Sequence, residues 1–238
     1  MNKNNSVFCQ PVLVYDAQPQ LPDRNGPTMK QKANNFQKMR ELGFYQQAAI
    51  AATLLERMLP NYQLFSEVTG FGDTKLCRDI LNLVWEWLFV KKVKINFERL
   101  CNELELATPD QSQFDMFGVY PAIDTATALD SMLNGILSQD ATEFVNVAKI
   151  SQASVARLIE HQAEDIDITT EAELKKWVRD HELMEYEMDC LAELIELVTP
   201  LTDGFQREQV QMLKAWVREQ GLSNLGMELV PDIQNSDG

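Results

Sequence analysis

From residue 36 to residue 220 the apolar side chains return every three or four positions, and no alternating run of useful length interrupts them. A recurrence near 3.6 lines such side chains along one face of a helix, whereas a half-buried strand needs a period of 2. The chain is therefore read as all-α: a single helical domain of roughly eight helices joined by short loops, covering residues 35–230. The first 34 residues hold four of the nine prolines, many Asn and Gln, and no helical period, so they read as a flexible tail; residues 231–238 read as a flexible end. A chain of 238 residues that is 45% hydrophobic can bury one sizeable core, and ten glycines with nine prolines are too few for a turn-rich all-β protein.

Local signals set the expected boundaries. "FYQQAAIAATLLERML" (44–59) is a helix stopped by Pro60, which has no backbone N–H to donate, and "NYQLFSEVT" (61–69) is a shorter helix ending at Gly70. Further helices are expected over 74–90, 96–106 and 120–137, the last with Pro121 in its first turn. Asp140 with Glu143, and Thr170 with Glu173, have capping-box spacing and start helices near 141–163 and 171–198. A final helix runs over about 203–220 and stops at Gly221, and "LSNLGMELVP" beyond it is expected to extend along a surface groove. An internal start at Met29 would retain every one of these helices, so residues 1–28 are expected to be disordered and dispensable for folding.

Charge and the metal-binding residue types narrow the function classes. The formal net charge is −15, and it is unevenly divided: residues 1–40 carry six Lys/Arg and two Asp, leaving 15 Lys/Arg against 34 Asp/Glu, a net of −19, in residues 41–238. Such a body repels phosphate backbones and anionic membranes, which argues against direct nucleic-acid binding. No apolar run of membrane-spanning length exists, and the apolar start "SVFCQPVLVY" is broken by Gln10 and Pro11, so a cytoplasmic location is expected. The four cysteines are scattered, without a C-x-x-C pair, and read as reduced, mostly buried thiols. "HELME" (181–185) lacks the second histidine of a zinc helix, and neither His161 nor His181 follows a Glu by three. No cofactor and no histidine-based metal centre is expected.

Four stretches nevertheless carry candidate residues. In "VTGFGDTKLCRD" (68–79) a helix, not a strand, precedes the glycines; Gly70 stands where a helix end wants a left-handed residue and Asp73 where the next helix wants an N-cap. Gly70, Phe71, Gly72 and Asp73 thus form a structural corner, with Phe71 in the core, in preference to a phosphate loop. The following helix is apolar over most of its circumference, which marks it as central and buried, with Lys75, Arg78, Asp79, Asn82 and Glu86 on one narrow stripe. Carboxylates at such depth are paired internally or line a pocket. In "FDMFGVYPAID" (114–124), Asp115, Tyr120 and Asp124 can face that same stripe, or the two aspartates simply cap a loop. On the helix near 181–198, Glu182, Glu185, Asp189, Glu193 and Glu196 make an acidic stripe opposite Met184, Met188, Leu191, Ile195 and Val198. That stripe is a solvated face or a docking surface for a basic protein. Glu187 alone projects into the apolar half and demands an Arg or Lys, or an interface.

With "ERMLPNYQLF", "TGFGD", the "WE" of the 74–90 helix, "FDMFGVYPAID" and "SNLG" in this order, the chain resembles the YjaG-like bacterial family, a domain of unknown function, over roughly residues 36–229. The resemblance implies an all-helical bacterial fold and brings no activity with it. It implies an aspartate at position 82, where this chain has Asn82, and no counterpart for residues 1–34. Two expectations follow: foremost a non-catalytic interaction or regulatory protein with an acidic docking surface, and behind it a small-ligand or divalent-metal protein or enzyme built on Asp79, Glu86, Asp115 and Asp124.

Overall fold

The computed structural model describes residue 21 and residues 35–90, 94–201 and 205–229. Among them are nine α-helices: α1 (Asn35–Arg40), α2 (Phe44–Thr69), α3 (Thr74–Phe89), α4 (Phe97–Ala107), α5 (Val119–Ser138), α6 (Thr142–Gln162), α7 (Glu171–Asp180), α8 (Glu182–Val198) and α9 (Arg207–Gln220). The described β-structure is one isolated antiparallel bridge, Leu222 with Glu228. The expected tail 1–34 and end 231–238 lie outside the described residues except for Leu21, which is half-buried and packs on two small apolar clusters around Leu183, Leu225 and Cys190. No described helix is long and apolar enough to cross a membrane.

The central helix is α2, not α3. Small residues, Ala48, Ala49, Ala51 and Ala52, are fully buried along its first half and let neighbours approach from several sides; α3, α5, α6, α8 and α9 all pack on it. Helix α3 is peripheral. It buries one face, Cys77, Ile80, Leu81, Val84, Trp85 and Leu88, and leaves Lys75, Asn82 and Glu86 exposed. At about 1.5–3 kcal/mol for each large apolar side chain removed from water, that face suffices to dock the helix. The polar stripe faces water, so the depth expected for its carboxylates is not found.

Pro60 does not end a helix either: α2 runs through it from Phe44 to Thr69. A proline interrupts the ladder through its missing N–H and its ring, and neighbouring carbonyls need other donors. Two of these come from distant parts of the chain. Asn224 N–H donates to the Arg57 carbonyl at 3.2 Å, and Thr125 Oγ1 donates to the Met58 carbonyl at 3.1 Å.

The stretch expected as one helix over 171–198 is two, divided at His181. Its extended backbone (ψ 136°) ends α7, while its Nδ1 accepts the Leu183 N–H at 3.1 Å and caps α8. The Thr170 and Glu173 capping box forms. The Asp140 and Glu143 box does not: Asp140 accepts from Thr142 N–H, and Glu143 is turned to Asn146. The last helix begins at Arg207. The segment after it does not run along a surface groove, since Ser223 and Asn224 are fully buried and Leu225 is 3% exposed. This short irregular piece reaches the middle of α2 and brings the site residues together.

Candidate functional site

The α2–α3 corner is built around Tyr62. Gly70 ends α2 at φ 70° with its N–H on Ser66 O at 2.8 Å, and Asp73 Oδ1 accepts the Leu76 N–H at 2.8 Å. Tyr62 OH donates to Ala107 O at 2.6 Å and accepts from Asp73 N–H at 3.1 Å. Gly72, at φ 94°, is packed so closely on Tyr62 Oη that a Cβ would collide with it. Phe71 is half-buried and edge-on to Phe114 at 5.4 Å. Burial pushes both Tyr62 and the neighbouring Cys77 thiol up to about 12, so both keep their protons at neutral pH. Asp73 holds the donor that an incoming phosphate would need first.

The carboxylates proposed to share a pocket are held in separate places. Asp79 pairs with Lys75 one turn back on the surface of α3 at 2.5 Å, and Glu86 and Asp115 are exposed. Asp124 sits inside the α5–α6 interface, 2.6 Å from Arg157, whose guanidinium lies 5.3 Å from the Tyr120 ring centroid. Tyr120 Oη accepts from Gln111 at 2.7 Å, and next to it Phe117 stacks on His161 with ring centroids 4.4 Å apart. Among the described residues no three His, Cys, Asp or Glu side chains group in a way that would hold a metal ion. The α3 stripe and Asp124 do not converge because α3 turns its stripe to solvent while Asp124 is turned towards α6. A different carboxylate links α2 to α3: Glu56 accepts from Arg78 at 2.6 Å and from Trp85 Nε1 at 2.7 Å.

Helix α8 divides the expected acidic stripe. Glu182, Glu185 and Glu196 are exposed and Glu193 is half-buried, but Asp189 is only 5% exposed. Helical spacing alone places Asp189 with the others. Helix α1 alters that by packing on α8, with Asn35 Nδ2 donating to the Met188 carbonyl at 3.0 Å, one residue before Asp189.

The most deeply buried polar cluster meets the demand of Glu187 for a cation, with partners that the sequence did not identify. Arg57 of α2 is 0% exposed and donates to Glu187 of α8, itself 1% exposed, at 2.5 Å. Glu187 Oε1 accepts from Ser151 of α6 at 2.5 Å. Asn224 closes the ring: its N–H donates to Arg57 O, its Nδ2 to Ser151 Oγ at 3.2 Å, and its Oδ1 accepts from Asn61 at 2.8 Å. Burial works against the Arg57 cation, but the Coulombic pull of Cys190 and Glu187 outweighs it and raises its pKa above the ordinary arginine value. The guanidinium also lies 5.5 Å from the Tyr186 ring centroid. The misplaced apolar-face Glu187 was the available signal. Arg57 gave none, because beside Glu56 in the local sequence it reads as an ordinary charged helix residue.

The model of a family described as "Protein of unknown function (DUF416)" matches residues 34–228. The uncharacterized protein YjaG of Escherichia coli strain K12 is 38% identical over 191 residues, covering 80% of this chain and 94% of that protein. An uncharacterized protein of Haemophilus influenzae is 35% identical over 193 residues, covering 80% and 95% respectively. The crystal structure of a DUF416 family protein from Shewanella baltica OS155 superposes with a TM-score of 0.74 at 36% identity, covering 82% of this chain and 98% of that one. The strings that carry the resemblance meet in space: "ERMLPNYQLF" supplies Arg57, Asn61 and Tyr62, "SNLG" supplies Asn224, and "TGFGD" packs on Tyr62.

Proposed function

The chain belongs to the DUF416 family of proteins of unknown function, and from that premise we propose that it is a non-catalytic interaction or regulatory protein of the bacterial cytoplasm. It presents an acidic surface to a basic protein partner. The observation that carries this reading is the distribution of charge. Residues 41–238 hold 34 acidic side chains against 15 Lys/Arg, and two of those arginines are committed to buried or half-buried carboxylates, Arg57 to Glu187 and Arg157 to Asp124. Among the described residues only Asp124, Glu187 and Asp189 of the acidic side chains are buried, so the acidic excess lies outside, where Glu182, Glu185 and Glu196 line exposed positions of α8. The described free cysteines, Cys77, Cys101 and Cys190, fit a reducing compartment.

A field of this sign raises encounter rates with cationic surfaces more than it deepens affinity. The test is capture of proteins from bacterial lysate at low salt by the full chain and by the triple variant Glu182→Lys, Glu185→Lys, Glu196→Lys. These three are chosen because they are exposed, whereas a substitution at Asp189 would disturb packing. A small basic set that the wild type enriches and the variant loses, with helicity unchanged by circular dichroism, supports the reading. Equal capture by both reduces the acidic face to a solvated surface.

A further inference from the structure

We propose that the Arg57 cluster encloses internal water, which bridges α2, α6 and the buried C-terminal segment as a constitutive part of the fold. Among the described residues, Arg57 Nε and Nη2, Asn61 Oδ1 and Ser154 Oγ have no protein hydrogen-bond partner. The three side chains are 0%, 0% and 1% exposed, so bulk solvent does not reach them. The helical repeat draws them together. Asn61 lies one turn beyond Arg57 on α2, Ser154 lies one turn beyond Ser151 on α6, and Asn224 bonds to both Asn61 and Ser151.

An orphaned buried donor or acceptor forfeits its whole hydration, and one on a charged group forfeits more. Several such atoms would together consume a large part of a domain's small net stability, so the fold must supply a partner. The inventory identifies its chemistry. Arg57 Nε and Nη2 offer only N–H donors, Asn61 Oδ1 offers only an acceptor, and Ser154 Oγ takes either role. The bridging species must both accept and donate. A simple anion accepts only, and Glu187 has already neutralised Arg57 and would repel it. A cation is repelled by the guanidinium. Water both accepts and donates, is neutral, and is known in such sites to make about three hydrogen bonds to otherwise unsatisfied buried groups.

The test uses the full wild-type chain. In a crystal structure with ordered solvent, a water peak is expected within about 3.2 Å of Arg57 Nε or Nη2 and of Asn61 Oδ1 or Ser154 Oγ. In a ¹⁵N-labelled sample, the Arg57 Nε–H is expected to cross-relax with water, with NOE and ROE of opposite sign, which marks a long-lived water and not proton exchange. A dry cluster in the crystal with no water cross-peak overturns the proposal. So does an anomalous peak on Arg57 after bromide soaking, which would make the site an anion site.

Discussion

Arg57 and Glu187 are charges removed from water, and each is tolerable only because of the other. Glu187→Ala is expected to cost about 3–5 kcal/mol in denaturant unfolding, because it strands a buried guanidinium. Replacing both members, Arg57→Met with Glu187→Leu, should recover most of that loss; a double variant as unstable as the single one would show that the pair contributes more than mutual neutralisation. The α2–α3 corner makes a second residue-scale prediction. Gly70→Ala should cost about 1–2 kcal/mol for its left-handed backbone alone, since nothing stands near the added Cβ. Gly72→Ala should cost clearly more, because its Cβ also displaces Tyr62 from Ala107 and Asp73; equal midpoints for the two would contradict this. The need of Glu187 for a base was legible from helical spacing. The identity of that base was not, because it lies 130 residues away on another helix.

Helix periods were legible along most of the chain, and the errors lie where distant contacts override local rules. Pro60 reads as a stop, yet α2 continues through it, with Asn224 and Thr125 serving the Arg57 and Met58 carbonyls beside it. The 171–198 stretch reads as one helix because His181 has no breaker chemistry in isolation; it becomes a joint once its Nδ1 accepts the Leu183 N–H. That cap requires an unprotonated Nδ1, and burial lowers the His181 pKa against the opposing pull of Glu182. A lowered folded-state value means that the contribution is complete above the unfolded pKa of about 6.5 and is lost as pH falls through the folded one. His181→Asn keeps a good N-cap that does not titrate. The stability of wild type relative to this variant should therefore fall as pH drops below about 6.5, and parallel thermal midpoints across that range would contradict the role assigned to His181.

Across the whole molecule, the all-helical class and the acidic body followed from pattern and count, while the candidate site did not. The carboxylates of α3 looked buried because the helix is so apolar, but amphipathic packing on one side of α2 is enough to satisfy it. Leu21 bears on the expected dispensability of residues 1–28: it packs on apolar clusters that include Leu183, Leu225 and Cys190, so Leu21→Ala should lower stability by about 1–2 kcal/mol in place of having no effect. The central functional claim is that the external acidic field recruits a basic protein. Its most direct measurement is the association rate constant of the captured partner as a function of ionic strength. The rate should fall steeply as the Debye length contracts from about 10 Å at 0.1 M to about 3 Å at 1 M, and Glu182→Lys, Glu185→Lys, Glu196→Lys should lower it with little change in dissociation rate. An association rate indifferent to both salt and charge reversal would contradict the account.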